Sequence, residues 1–211
     1  MTHFFRVMDI ILSDRQWQTN LWTASAGTVT GEDMKLHFGC GGNVLESWQN
    51  YDMDIDIRKP LPFEANSAKR IFTEHMIEHV THREAYRFLE ECYRILEPQG
   101  VIRLSFPSAE RIWNYRHMQI SQDYSKWLAG CGVGDGSDKA KITSILFNHG
   151  HQALWSSSLM ICVLSSIGFI CYQSSVGCSA YEDLCNIEGH GKAIGKEFNL
   201  LETEVMEGVK R

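Results

Sequence analysis

The chain has 211 residues, of which 44% are hydrophobic, and carries a formal net charge of −6. This length fits one domain over residues 1–211, and the hydrophobic fraction excludes wholesale disorder. The acidic balance argues against a protein that follows a nucleic-acid backbone, so we expect no nucleic-acid partner. Asp9 and Asp14 interrupt the apolar N-terminal segment, and the apolar run 158–170 is too short to span a bilayer. We therefore expect neither a secretory signal nor a membrane contact.

The seven cysteines are odd in number and include no C-x-x-C pair. A zinc ribbon or a disulfide framework would need cysteines paired at regular spacings. The pattern favours reduced, buried thiols in a cytoplasmic protein. Nothing in the sequence indicates the oligomeric state.

Residues 1–33 form a preface of mixed polar and apolar character, which predicts a short helix followed by a loop. From Lys35 onward, strand and helix signals alternate. Apolar residues recur at three- and four-residue steps from Tyr86 to Leu96, which predicts a helix over 82–96. The strands predicted in this half of the chain lie at 35–39, near 51–55, at 69–73 and at 101–106.

Residues 109–150 break this alternation. They combine aromatic residues with a glycine-rich patch, and we interpret them as a substrate-side insertion. Beyond them the pattern predicts a helix over 152–167 and strands over 168–172 and 199–209. Apolar strands that alternate with helices indicate a parallel sheet covered on both faces.

The most informative segment is Leu36–Asn43 (LHFGCGGN), in which an apolar run stops at a glycine turn. Glycines are needed where the backbone passes close under a ligand, because a Cβ would block the ligand or forbid the backbone angles. An acidic cluster, Asp52, Asp54 and Asp56, begins eleven residues after Gly41. A glycine turn after one strand and a carboxylate at the end of the next can hold a nucleoside by its ribose hydroxyls.

Five segments, in this order along the chain, resemble the motifs of class I S-adenosylmethionine-dependent methyltransferases. LHFGCG at 36–41 resembles the first motif, and WQNYD at 48–52 is similar to the second-strand segment. They are followed by LPFEANS at 61–67, EHMIEH at 74–79 and ECYRILEPQG at 91–100. The resemblance covers residues 34–108.

The resemblance implies an α/β fold: a Rossmann-like, doubly wound, seven-stranded and mostly parallel sheet with helices on both faces. The last strand of such a sheet runs antiparallel. The resemblance also implies S-adenosylmethionine as the cofactor and S-adenosylhomocysteine as the product. Only ten residues separate Gly41 from Asp52, so any helix between them must be very short.

The family's cofactor site carries over to matching positions of this chain. The glycine turn would underlie the methionine and ribose, and Asp52, or Asp54 as the alternative, would take the ribose hydroxyls. Asp54 or Asp56 would lie beside the adenine with Leu61, and Glu74 would flank the methionine end. The cofactor-binding residues implied by the resemblance are Phe38, Gly39, Cys40, Gly41, Asp52, Asp54, Asp56, Leu61, Glu74 and His75.

Three histidines, His75, His149 and His151, are candidates for a catalytic general base. The segment 75–79 (HMIEH) has a rival interpretation, because H-x-x-E-H places two zinc-binding histidines on one helical face in a class of peptidases. The residues before it fit a nucleotide-binding fold, and the sequence identifies no third ligand. We therefore assign no metal site from the sequence.

These observations predict a cytoplasmic enzyme, an S-adenosylmethionine-dependent methyltransferase that acts on a small-molecule or sugar acceptor. O-methylation is the reaction that we expect, with one of the three histidines as the base. Two alternatives stay open: a non-catalytic S-adenosylmethionine-binding module, and a zinc metallopeptidase built on 75–79.

Overall fold

The computed structural model describes residues 33–114 and 149–211. Within these residues, six strands form one sheet in the order β2-β1-β3-β4-β6-β5. The strands are β1 (Lys35–Phe38), β2 (Gln49–Tyr51), β3 (Ala68–Glu74), β4 (Leu96–Pro107), β5 (Phe169–Ser174) and β6 (Thr203–Lys210). The pairs among β1 to β4 are parallel, and β6 pairs antiparallel with both β4 and β5. Five of these six strands therefore point the same way.

The mostly parallel sheet with an antiparallel last strand is thus confirmed. A seventh strand is not found in the described residues. The chain between β2 and β3, residues 52–67, forms turns and bends and adds no strand. The connection 39–48 also consists of turns without a helix, as its shortness requires.

The described part of the chain contains five α-helices and two 3₁₀ helices. The α-helices are α1 (His82–Ile95), α2 (Ala109–Asn114), α3 (Ser157–Ile167), α4 (His190–Ile194) and α5 (Lys196–Glu202). The 3₁₀ helices are Ile77–His79 and Glu182–Leu184.

Helix α1 begins at a capping box formed by Thr81 and Glu84. The Thr81 hydroxyl accepts from the Glu84 N–H at 3.3 Å, and the Glu84 carboxylate accepts from the Thr81 N–H at 2.9 Å. Two of the amides that the first turn leaves without partners are satisfied in this way. The helix buries one apolar face, which includes Phe88, Leu89 and Ile95. Burial of each such side chain stabilises the fold by about 1.5–3 kcal/mol.

The main core lies between one face of the sheet and helices α1 and α3. Strand residues alternate in direction, so Leu36 and Phe38 point into this core together with Ile102, Leu104 and Phe106. Trp155 is fully buried in the same cluster, and its indole N–H donates to the Ile77 carbonyl at 3.4 Å.

On the other face of the sheet, the described residues provide turns and a 3₁₀ helix as cover, and the helices predicted for this face are not among them. The apolar cluster of this face is packed by residues of the glycine connection and of the segment 175–188, with Leu184 in a 3₁₀ helix. Arg103 is fully buried there and donates to the carbonyls of Ser175 and Cys178 at 2.9 Å each. The carboxylates of Glu188 and Glu207 neutralise its charge.

Three predicted elements have shifted boundaries. The second strand ends at Tyr51, and Asp52 starts a turn instead of the strand predicted near 51–55. The helix predicted over 152–167 begins only at Ser157, after a cap by the Ser156 hydroxyl. Residues 199–202, predicted as strand, complete helix α5 before β6 begins.

The preface 1–33 and the insertion 109–150 fall almost entirely outside the described residues. Of the insertion, the structure describes helix α2, which follows β4 directly, and the turn at His149 and Gly150. No helix in the described ranges combines the length and the apolar character that crossing a bilayer requires.

We expect the Arg103→Leu substitution to destabilise the fold strongly. It leaves the buried carboxylates of Glu188 and Glu207 without their counter-charge, and breaking a buried pair in this way costs about 3–5 kcal/mol. Urea unfolding followed by circular dichroism measures the loss. The matched control is Arg58→Leu, because Arg58 pairs with Asp56 at the surface and should shift the midpoint little. Equal, small losses in both variants would contradict the account.

His37 should make the fold sensitive to acid. Burial lowers its pKa from the usual 6.5 to about 4, although Asn50 Oδ1 lies 3.1 Å from its Nδ1. The unfolded chain therefore takes up this proton below pH 6.5, whereas the folded protein resists it until about pH 4. Between pH 7 and pH 4 the native protein should lose about 3 kcal/mol more unfolding free energy than His37→Phe does. Parallel pH profiles of the two proteins would refute the assignment.

Candidate active site

The glycine turn follows β1 at the carboxyl edge of the sheet, where the parallel strands β1 to β4 all end. Gly39 has φ +70°, and a Cβ built there would lie 2.6 Å from Cγ of Met76. Gly41 has φ +46°, and a Cβ built there would meet no described atom within 4 Å. The turn is therefore tightly packed below, at Gly39, and open at Gly41. An added side chain at Gly41 would extend into this open space.

The three aspartates after β2 have different surroundings. Asp54 Oδ1 accepts from the backbone N–H of Asp52 at 2.7 Å and so holds the turn together. Asp56 pairs with Arg58 at 2.7 Å, and hydrogen bonds from Arg58 lower its pKa to about 2. The Asp52 carboxylate is exposed and makes no hydrogen bond to the described residues. Of the three, Asp52 is the one whose carboxylate has neither oxygen in a hydrogen bond or ion pair with the described residues.

Phe38, Cys40 and Leu61 are held by packing or by their backbone groups. The Phe38 ring lies in the core against the rings of Tyr51 and Phe88, so only its backbone faces the glycine turn. The Cys40 N–H donates to the Tyr51 carbonyl at 3.0 Å. Burial, followed by the nearby Asp52 and Asp54, raises the pKa of the Cys40 thiol, which favours its neutral form. Leu61 is buried, and its N–H donates to the Glu91 carboxylate at 2.9 Å.

Glu74 ends β3 and is buried, with only 8% of its surface exposed. Its carboxylate accepts from the backbone N–H groups of Gly189 at 2.7 Å and His190 at 3.0 Å. The side-chain amide of Asn43 donates to the same carboxylate at 3.4 Å and to the Ile187 carbonyl at 2.9 Å. Glu74 therefore links the glycine connection to the chain before helix α4.

His75 follows Glu74 in a left-handed conformation, with φ +45°. The Thr203 hydroxyl donates to Asn199 Oδ1 at 2.6 Å, so it accepts the N–H of His75 Nε2 at 2.8 Å. The His75 ring stacks on His190 with centroids 3.7 Å apart, and its Nδ1 lies 3.5 Å from Glu78 Oε1. Burial alone would lower the pKa of His75, but the adjacent Glu78 raises it above its usual value.

Glu78, His79 and His151 come together beside His75. The three residues each offer one ligand atom, and these atoms all lie within 4.8 Å of one another. The ring of His151 contacts that of His79 edge-on at 4.9 Å, and burial lowers the pKa of His151. His149 is exposed, with its ring 6.1 Å from that of His151.

Comparison with known proteins identifies the fold and a methyltransferase domain pattern within it. A family model described as a methyltransferase domain matches residues 46–104, the segment from the glycine connection through most of β4. An S-adenosylmethionine-dependent methyltransferase from Archaeoglobus fulgidus is similar at 15% identity, with a TM-score of 0.50 over 86% of this chain and 87% of that chain. Residues 46–104 therefore carry the sequence pattern of a methyltransferase domain, and the chain shares the fold of a solved S-adenosylmethionine-dependent methyltransferase.

A second solved structure, the YcgJ protein of Bacillus subtilis, is similar at 12% identity with a TM-score of 0.45. That similarity covers 85% of this chain and 92% of the other chain. No curated protein matches the sequence.

The fold brings together some of the residues predicted from the sequence. His75 and His151 both contact or approach Glu78, so two of the three predicted base candidates lie in one cluster at the carboxyl edge. The zinc peptidase arrangement is not formed. Residues 77–79 form a 3₁₀ helix instead of an α-helix, and His75 stands at the end of a strand with Nε2 bonded to Thr203.

Several residues of this edge were missed by the sequence analysis. Asn43 ends the glycine segment but was given no role, and His190 lies in no motif; only the fold brings the two residues to Glu74. Glu78 and His79 lie within the HMIEH segment, which did signal a cluster of ligand-type side chains. The third member of that cluster, His151, lies more than seventy residues further along the chain.

A groove of about 560 Å³ lies at the opposite edge of the sheet, where β1 and β3 begin. Its charged walls pair with one another: Lys69 contacts Asp33, and Arg70 contacts Asp183 at 3.1 Å. Open α/β sheets bind their ligands at the carboxyl ends of the strands, so the glycine turn is the candidate active site and this groove is not.

We expect Asp52→Ala to weaken the binding of S-adenosylhomocysteine roughly 10- to 150-fold, because a hydrogen bond to a charged group contributes about 1.5–3 kcal/mol. Isothermal titration calorimetry on the folded variant measures the change. Asp56→Ala is the control, since Arg58 already holds that carboxylate. If Asp54→Ala loses affinity comparably and Asp52→Ala does not, the ribose hydroxyls bind Asp54. If neither variant loses affinity, the ribose does not bind this aspartate cluster.

Proposed function

We propose that this methyltransferase transfers a methyl group to a hydroxyl oxygen of a small-molecule or sugar acceptor. One observation carries the proposal: an open glycine turn and a histidine–carboxylate cluster lie side by side at one edge of the sheet. Met76 joins them, because it packs against Gly39 and lies in the chain between His75 and the 3₁₀ helix Ile77–His79.

The residues of the turn fit an adenosyl ligand. Gly41 leaves open space above the backbone, and Asp52 offers a carboxylate with no hydrogen bond to the described residues. Gly39, Cys40 and Gly41 would lie under the methionine and ribose, with Asp52 at the ribose hydroxyls. When bound, S-adenosylmethionine supplies a methyl group on a sulfonium centre, which an acceptor oxygen takes up while the thioether product departs.

Glu74 and His75 would position the methionine end of the cofactor, because other residues already hold both side chains in place. The Glu74 carboxylate receives three N–H donors and is fixed in place. His75 is fixed by Thr203 and by its stack on His190. Fixed groups align the donor and the acceptor without further ordering, and such alignment can lower a barrier by roughly 7–11 kcal/mol.

His151 is the best placed of the three histidines to act on the acceptor. The Nε2 of His75 is committed to Thr203, and His149 lies at the exposed rim. The His151 ring is half-buried beside Glu78 and makes no hydrogen bond within the described ranges. A hydroxyl is a poor nucleophile until it loses its proton, and a positioned base supplies roughly 10²–10⁴-fold in rate.

An oxygen acceptor accounts for this cluster better than an amine does. A neutral amine already carries a free electron pair and needs no base to attack, whereas a hydroxyl does. The proposal of a small acceptor rests on charge, since a net charge of −6 does not favour the phosphate backbone of a nucleic acid.

The test is turnover with a panel of hydroxylated small molecules and sugars, read as S-adenosylhomocysteine formed. With an accepted substrate, His151→Gln should lower kcat at least about 100-fold and leave the affinity for S-adenosylhomocysteine nearly unchanged. The control is His82→Gln, because the His82 ring bonds to the Leu154 carbonyl and packs on Trp155. That variant should keep its kcat.

Three results would contradict the proposal. Transfer to amines alone would make the reaction an N-methylation. Cofactor binding without turnover on any acceptor would indicate a binding module. An unchanged kcat in His151→Gln would remove this histidine from the reaction.

A further inference from the structure

We propose that Glu78, His79 and His151 form a binding site for a divalent transition-metal ion of the Zn²⁺ type. The ligand atoms of the three side chains lie within 4.8 Å of one another, and His79 Nε2 is 4.0 Å from Glu78 Oε1. Ligands on a tetrahedral Zn²⁺ with bonds of 2.0–2.1 Å stand about 3.4 Å apart. Small side-chain rotations therefore close the site around an ion.

The Glu78 carboxylate is the strongest sign that something binds here. The residue is 1% exposed, and neither oxygen has a hydrogen-bond partner in the described part of the chain. The nearest group, His75 Nδ1, is 3.5 Å away without hydrogen-bond geometry. Glu78 therefore has charge partners only at a distance, in His75 and His79, and a buried carboxylate without a hydrogen bond is costly. A cation between Glu78 and the two imidazoles would satisfy it.

The backbone holds the three ligands in place before any ion arrives. The Glu78 carbonyl accepts from the N–H groups of Gln152 at 2.7 Å and Ala153 at 3.1 Å. The Gln152 side chain also donates to the His79 carbonyl at 2.7 Å. The chain that carries His151 is thus tied directly to the 3₁₀ helix that carries Glu78 and His79. Ligands held on tied elements lose little freedom when the metal binds.

The donor set selects the kind of metal. Two imidazoles and one carboxylate suit zinc and its neighbours in the first transition series, whereas Mg²⁺ and Ca²⁺ prefer oxygen ligands alone. Two neutral rings and one carboxylate carry a single negative charge, which complements a dication. Three protein ligands also leave a fourth position open, as in catalytic zinc sites.

The open position gives the ion a role that rests on the proposed function. A coordinated hydroxyl of the acceptor would have a lowered pKa, so its proton passes to solvent water. The oxygen–carbon bond then forms as the carbon–sulfur bond breaks, with the electron pair left on sulfur. In this scheme His151 activates the acceptor as a ligand of the ion instead of as the base itself.

Direct metal binding by the purified full-length protein tests the inference without substrate. Co²⁺ is the probe, because its visible absorption reports coordination and thiolate ligands add a charge-transfer band in the near ultraviolet. We expect one Co²⁺ per chain, visible bands without the thiolate band, and displacement by Zn²⁺. Loss of an outer partner alone weakens metal sites 10- to 100-fold, so losing a ligand through Glu78→Gln or His151→Gln should weaken binding at least about 100-fold.

The control for these variants is His82→Gln, which should bind Co²⁺ as the native protein does. A thiolate band would place the ion on cysteines and overturn the proposal, as would equal affinity in the native protein and Glu78→Gln. If Co²⁺ does not bind but His151→Gln still lowers kcat, the metal site fails and the proposed function stands. If Co²⁺ binds at this site but no acceptor is methylated, the metal site stands and the proposed function fails.

Discussion

The buried carboxylate of Glu74 is the interaction on which the rest of the active edge depends. It receives N–H donors from Asn43, Gly189 and His190, and so joins the glycine connection, the end of β3 and the entry to helix α4. Its hold on His190 places that ring against His75, and His75 in turn lies next to Glu78. One buried carboxylate thus connects the glycine turn with the histidine cluster.

The elements that were predicted correctly are those whose signal is local. The capping box and the apolar face define α1 within one segment, and the apolar run before Gly39 defines β1. The second strand was placed too late because Asp52, Asp54 and Asp56 alternate as strand residues do, while in the structure Asp54 bonds to the Asp52 amide and closes a turn. The packing of the segment 175–188 on the second face of the sheet could not be predicted, because its signal is not local. It depends on Arg103, whose partners Ser175, Cys178 and Glu188 lie more than seventy residues away along the chain.

The candidate site divides in the same way. The glycine turn and the carboxylate after β2 could be predicted because consecutive elements of a parallel sheet bring them together. The structure leaves the space at Gly41 open, and the binding of a nucleoside there stays a prediction. His151 was a candidate by position only. Its neighbours Glu78 and His79 stood in a motif that suggested a peptidase, because the residues read as one helix. In the fold this segment is a strand end followed by a 3₁₀ helix. The third potential ligand of the cluster is His151, which follows the insertion.

The most direct test of this account is a crystal structure of the protein with S-adenosylhomocysteine. We predict that the ribose hydroxyls bind Asp52 and that the backbone of Gly39–Gly41 lies beneath the ligand. The thioether sulfur should face the cluster of Glu78, His79 and His151. A nucleoside seated instead in the charged groove of Lys69 and Arg70 at the opposite edge of the sheet would contradict it, as would a sulfur that faces away from the histidine cluster.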